Sequence, residues 1–410
     1  MAQLTRDRLT WLVYLQLGVF GYFLYGFGPT VPLLREEQGI SRTLSGLHGT
    51  ALAFGTLAAA ALTAAVVRRW GRATALWGGL AVLSLGVVVY VSTTALPLTL
   101  LGALLGSMGG SFTLAAVAPA LIEHHGAGGP AAISEANATA AAAGIAAPLM
   151  IGAGVLTGLG WRAGPLLLLV LVVALVATLG RTPIPPVHQV PGHHEGSSRL
   201  PTRYWIGWGV LAACISAEYC LTLWAADLLR SRDDLGAGTA SAAITGLVVG
   251  MFLGRLSGGR LALRFGVDPL LYAAIGVAAA GFAIFWASTW APLAVAGLLV
   301  CGLGVALHYP LGIARAIDAS EGRPDLASAR AGFAAALAVG VGPFALGALA
   351  DQVGLHGAFL VVPALLGLAA LGVRLGGRSR YAPALTTGPD GGATAARSHP
   401  QRRRTRRPAG

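Results

Sequence analysis

The sequence predicts an all-α membrane protein with twelve transmembrane helices in two pseudo-symmetric six-helix halves. Three observations carry this. Apolar stretches of membrane-crossing length recur along the whole chain, a Pro-, Gly- and Ser-rich hydrophilic segment divides them six and six, and the two groups share landmark residues at one fixed offset.

Of the 410 residues, 55% are hydrophobic and only 11% charged, a balance too apolar for a water-soluble globule. About twenty helical residues cross the hydrocarbon layer of a bilayer, where a helix satisfies its own backbone hydrogen bonds. The alternating pattern of a membrane β-barrel is not present. In order, the spans read as residues 11–34, 43–67, 73–93, 97–122, 131–159, 164–180, 204–228, 238–261, 269–289, 292–313, 326–350 and 355–373. The 59 glycines suit membrane helices, which pack through small residues rather than by a hydrophobic driving force. Residues 1–180 form the expected first half and 204–375 the second. Residues 181–203, "RTPIPPVHQVPGHHEGSSRLPTR", read as a cytoplasmic connector, and 376–410 as a disordered, Arg-rich cytoplasmic tail. The start of the chain, with Arg6 and Arg8 before the first span, reads as an uncleaved anchor.

A formal charge of +12 raises nucleic acid as a partner, but its placement points to topology instead. There is no lysine, so arginine alone carries the positive-inside signal. One set of span ends holds Arg68, Arg69, Arg72, Arg181, Arg199, Arg203, Arg260, Arg264, Arg315 and Arg323, whereas the other holds only Arg35, Arg42, Arg162, Arg230 and Arg232. Both termini are therefore expected in the cytoplasm and the chain in the inner (plasma) membrane. The tail reads as a topology signal and an expected contact for anionic lipid head groups. Cys214, Cys220 and Cys301 fall inside spans and read as packing residues. His193, His194 and Glu195 in the connector are a weak, adventitious metal set, and no metal or cofactor is expected.

Shifting the sequence by 195 residues superposes Arg35 on Arg230, Gly55 on Gly250, Arg69 on Arg264, Gly71 on Gly266, Gly86 on Gly281, Pro148 on Pro343 and Gly152 on Gly347. A six-helix unit duplicated in parallel is a transporter architecture, with the substrate site between the halves near the bilayer midplane.

Between spans eight and nine, "GRLALRFG" keeps Gly259, Arg264 and Gly266 of a Gly-x-x-x-Asp-Arg-x-Gly pattern, with Leu263 at the acidic position. Between spans two and three, "AAVVRRWGR" keeps Arg69 and Gly71, with Ala64 at the first glycine position and Arg68 at the acidic one. In these motifs, and in its layout over essentially the whole chain, the sequence resembles the major facilitator superfamily. The resemblance implies a monomeric secondary transporter working by alternating access on a small-molecule substrate. The missing acids place the family's loop-to-helix charge lock in question.

Charges inside the spans are costly and tend to be functional. Glu218, in "ACISAEYCLTLW", lies on a small, polar stripe with Cys214, Thr222 and Ala225. A carboxyl buried there suits proton coupling, since burial favours its neutral form; its structural alternative is an acid hydrogen-bonded to a neighbouring helix. The first span carries Tyr14, Gly18, Gly21 and Tyr25 on one face with Tyr22 beside it. These tyrosines line a substrate cavity or, near the ends, an interfacial belt. His308 and Tyr309 precede Pro310, a helix break expected to free backbone carbonyls toward the cavity.

Arg255, one turn before Gly259, resembles the eighth-helix arginine of monocarboxylate and oxalate transporters in the same superfamily, which implies a grip on a substrate carboxylate. The alternative is a cytoplasmic gate, in which Arg255 pairs with Glu135 of span five, whose counterpart at the 195-residue offset is Arg330. Direction is open. "AAPLMIG" in span five partly resembles the Gly-Pro motif of antiport exporters, and "GPFALG" in span eleven matches it better. The sequence thus predicts a proton-coupled transporter of a small organic solute, such as an organic anion, with a proton-antiport exporter of an amphipathic compound as the alternative. An intramembrane enzyme would need a convergent nucleophile or metal set, and ATP-driven transport a P-loop; neither pattern occurs.

Overall fold

The computed structural model describes residues 5–185, 199–232, 235–321 and 323–377. The connector candidates His193, His194 and Glu195, and the Arg-rich tail from residue 378, lie outside the described residues. Fourteen α-helices follow in order: α1 (Arg8–Gln38), α2 (Arg42–Ser92), α3 (Leu96–His125), α4 (Gly129–Leu156), α5 (Ala163–Leu179), α6 (Thr202–Arg232), α7 (Ala237–Ala243), α8 (Thr245–Phe265), α9 (Val267–Ala287), α10 (Ala291–Val305), α11 (His308–Asp318), α12 (Pro324–Val353), α13 (Leu355–Ala358) and α14 (Val361–Leu375). Among the described residues there is no strand.

Ten helical stretches among the described residues are long and apolar enough to cross a membrane. One of them, the 51-residue α2, bends at Gly71 and so holds two spans. The 17-residue α5 supplies one more, and ten plus one plus one gives the twelve expected. Local chemistry sets the ends. The Asp7 carboxylate caps α1 by accepting the Thr10 amide at 2.9 Å, and Gly39 closes α1 in the left-handed region at φ 63°, its amide returning to the Arg35 and Glu36 carbonyls. Three spans are interrupted. The tenth breaks at Ala306 and Leu307 rather than at Pro310 itself, because a proline ring displaces the carbonyl four residues before it and Ala306 is that residue.

The duplication is visible in backbone and packing alike. Gly71 (φ 84°, ψ 169°) and Gly266 (φ 80°, ψ 170°) make the same sharp turn at corresponding places. Beside them Arg69 lies over the Trp70 ring and Arg264 over the Phe265 ring, at 5.6 and 5.2 Å. A side chain at Gly55 would strike the Leu104 carbonyl, and one at Gly250 the Leu299 carbonyl; both pairs are related by the 195-residue offset. Each half has its own apolar core. The halves meet along α1 against α6, α2 against α12 and α4 against α7. There Gly28 packs on the Thr222 carbonyl, the Thr50 hydroxyl donates to the Gly340 carbonyl at 3.1 Å, and Gly152 packs on Gly238.

Candidate functional site

Only a few charges sit deep in these apolar helices, and two of them come together at the seam. Arg255, on α8, donates from Nη1 to the Tyr25 hydroxyl of α1 at 3.1 Å. Glu218, on α6, lies within electrostatic range of Arg255, as does Tyr219 beside it. Tyr25 comes from the first half and the other three from the second. Tyr25 is buried, Glu218 and Tyr219 are half-buried, and Arg255 is exposed, so the group is not sealed within the core.

This arrangement has definite chemical capacities. A guanidinium in a region of low dielectric requires a counter-charge, and Glu218 is the acid within its range. When Glu218 is ionised it compensates Arg255; when protonated, it leaves the planar fork free for an external anion. The Tyr25 hydroxyl holds one guanidinium nitrogen from the opposite half, so a change at Arg255 is felt across the seam.

Comparison with known proteins decides the wider assignment. The chain matches the Major Facilitator Superfamily over residues 13–229 and again over residues 222–407. It belongs to that superfamily. An uncharacterized MFS-type transporter of Yersinia pestis is 27% identical over 367 residues, covering 84% of this chain and 91% of that relative. Among solved structures, a mutant of the nucleoside transporter NupG superposes with a TM-score of 0.72 at 16% identity, over 90% of this chain and 98% of that one. The D-xylose-proton symporter gives 0.71 at 15% identity, over 89% and 96%. A bacterial homolog of the human lysosomal transporter Spinster, inward-facing and unoccupied, gives 0.63 at 15% identity, over 90% and 91%. At these identities the likeness establishes the fold. The protein is a multi-pass membrane transporter of this superfamily, which is not a family of enzymes.

The remaining sequence-selected residues of this superfamily member are distributed more widely. Tyr14 donates to Glu135 Oε2 at 3.2 Å, and Arg6 grips the same carboxylate at 2.9 and 2.7 Å. Glu135 is thus held by its own half and Arg255 by Tyr25; the expected pairing of Glu135 with Arg255 is not formed in this conformation. The physical reason is reach, since the flexible Arg6 comes from the chain immediately before α1, on the same end of the bundle as Glu135. Arg330 lies over the Trp205 ring at 5.4 Å. Tyr22 donates to the Gly164 carbonyl at 2.9 Å and lines a small apolar pocket inside the first half, apart from the Arg255 group. Thr222 returns its hydroxyl to the Glu218 carbonyl at 2.9 Å and is buried at the contact with Gly28. His308 is fully buried and Tyr309 is exposed.

At the two motif loops the acids missing from the family pattern are matched by other ion pairs. Arg72, just past the Gly71 turn, meets Glu123 of α3 at 2.8 Å, and Asp268, just past Gly266, meets Arg315 of α11. The polarity is opposite in the two halves. Sequence reasoning missed Tyr219 in the central group and Asp227 farther along α6. The signal for Asp227 was present, as a second acid in the same apolar span as Glu218.

Proposed function

We propose that the protein is a proton-coupled secondary transporter of a small organic anion, with Arg255 as the anion contact and Glu218 as the proton carrier. The observation that carries this reading is the Arg255–Tyr25 bond across the two halves with Glu218 beside it. Protonation of Glu218 removes the internal counter-ion of Arg255, so a proton and an anion bind together more readily than either alone. Release of both restores the internal pair. The six-plus-six duplication supports alternating access around this point. The arginine distribution supports cytoplasmic termini and an inner-membrane location, and a single chain already contains both halves of the site, which supports a monomer as the working unit.

The neighbours supply a second reading, since they include a nucleoside transporter and a D-xylose-proton symporter. One screen separates the two. Ligands that bind only the folded state raise its melting temperature, so purified protein is tested against small carboxylates, sugars, nucleosides and amphipathic cations. The anion reading expects stabilisation by a carboxylate that is lost in Arg255→Gln and largely lost in Arg255→Lys, where the planar fork is gone. Stabilisation by a sugar or nucleoside that persists in Arg255→Gln would overturn it.

A further inference from the structure

The seam between the halves is fastened by charge at the end of the bundle opposite the termini. Asp227, near the end of α6, is only 3% exposed. Its carboxylate accepts Arg35 Nη2 at 3.1 Å and Arg42 Nε at 3.0 Å, from the last turn of α1 and the first of α2. Asp351, in the last turn of α12, accepts the Arg42 and Thr43 amides at 3.0 and 2.8 Å and the Thr43 hydroxyl at 2.6 Å. Arg230 meets Glu36 at 2.8 Å. Every one of these contacts joins the first half to the second. At the termini-bearing end, Arg6–Glu135 and Arg72–Glu123 stay within the first half, and Arg315–Asp268 within the second.

This asymmetry has a mechanical meaning. Arg35 and Arg42 are separated by one tight turn through Gly39, and the Asp227 carboxylate between their two guanidinium groups offsets the repulsion of like charges. Attraction between partly buried charges is stronger than in water, and parting the halves must separate one carboxylate from two guanidinium groups at once, a cost that rehydration only partly offsets. The termini-bearing end has no corresponding cost from the pairs just named.

We propose that Asp227, with Asp351 beside it, is the latch that keeps the far entrance closed, and that its release limits how often the Tyr25–Glu218–Arg255 group turns to that side. This rests on the alternating-access reading above. It goes beyond that reading by assigning the closed resting state to two carboxylates outside the substrate group.

The test reads distances and needs no substrate. Spin labels are placed at Leu98→Cys with Leu293→Cys for the far end, and at Trp70→Cys with Phe265→Cys for the termini-bearing end. These four positions are exposed, and the native cysteines are buried and stay unlabelled. In lipid nanodiscs the parent is expected to give a short far-end distance. Asp227→Asn is expected to enrich a longer far-end distance on the order of tenfold, with a matching shorter one at the other end, and Asp227→Glu to restore the parental pattern. Asp351→Asn alters only an exposed side chain and supplies the same readout, with a smaller shift, should Asp227→Asn fail to fold. Gly28→Val is the charge-free control, because its added carbons collide with the Thr222 carbonyl and wedge the seam open. If that control shifts the distances while both Asp variants match the parent, the latch is wrong and the rocking stands. If none of the variants shifts them, the alternating-access reading itself falls.

Discussion

At the residue scale, the proposed function rests on three side chains that are each simple and gain meaning from one another. Arg255 supplies the only kind of cation that stays charged in this setting, Glu218 a carboxyl that can hold or release a proton, and Tyr25 a hydroxyl that ties the arginine to the opposite half. Tyr25→Phe keeps the ring and removes only that tie. A hydrogen bond to a charged group contributes about 1.5 kcal/mol or more, so ligand affinity in Tyr25→Phe is expected to fall about tenfold, read by titrating the stabilising ligand against melting temperature. Unchanged affinity would mean that Tyr25 does not position Arg255. Glu218 and Arg255 were legible in the sequence because a charge in an apolar run stands out. Their partnership was not, since it depends on the depth and rotation of α1, α6 and α8. The same limit explains Glu135: a gate with Arg255 across the halves was expected, whereas the structure gives it Arg6, a residue whose reach no periodicity reveals.

At the element scale, helix ends and breaks decide where those side chains stand. Span count and order were readable from hydropathy, and the Gly71 and Gly266 turns from the repeat. The interruption before His308 was expected at Pro310 and occurs four residues earlier in the ladder, where the missing amide and the ring are felt. The start of α1 offers a direct test of such local control. Burial by itself would raise the Asp7 carboxyl, but hydrogen bonds from the Thr10 amide and hydroxyl and from His124 outweigh it and hold the group below the ordinary aspartate range. A depressed folded-state value means that the cap contributes fully above the unfolded-state value and loses its contribution as pH falls through the folded one. Asp7→Ala is therefore expected to cost about 1 kcal/mol at neutral pH, with the gap to the parent closing on acidification. Thermal unfolding in detergent at several pH values checks this, and a gap that widens in acid would contradict it.

At the scale of the whole molecule, two copies of one six-helix design have diverged at their charges while keeping their glycines. Gly55 and Gly250 admit the same carbonyl contacts, yet the ion pair beside the motif turn is Arg72–Glu123 in one half and Asp268–Arg315 in the other. In the proposed cycle, symmetric packing lets the halves rock as similar bodies and asymmetric charge sets the resting side. The central claim is that Glu218 couples this rocking to protons, and solute movement in proteoliposomes tests it most directly. With the stabilising carboxylate outside and a proton gradient directed inward, the parent is expected to accumulate it above the external concentration. Glu218→Gln is expected to equilibrate the same solute without accumulating it, because the amide keeps the shape but cannot carry the proton. Accumulation by Glu218→Gln equal to the parent's, with the same dependence on the gradient, would contradict the account.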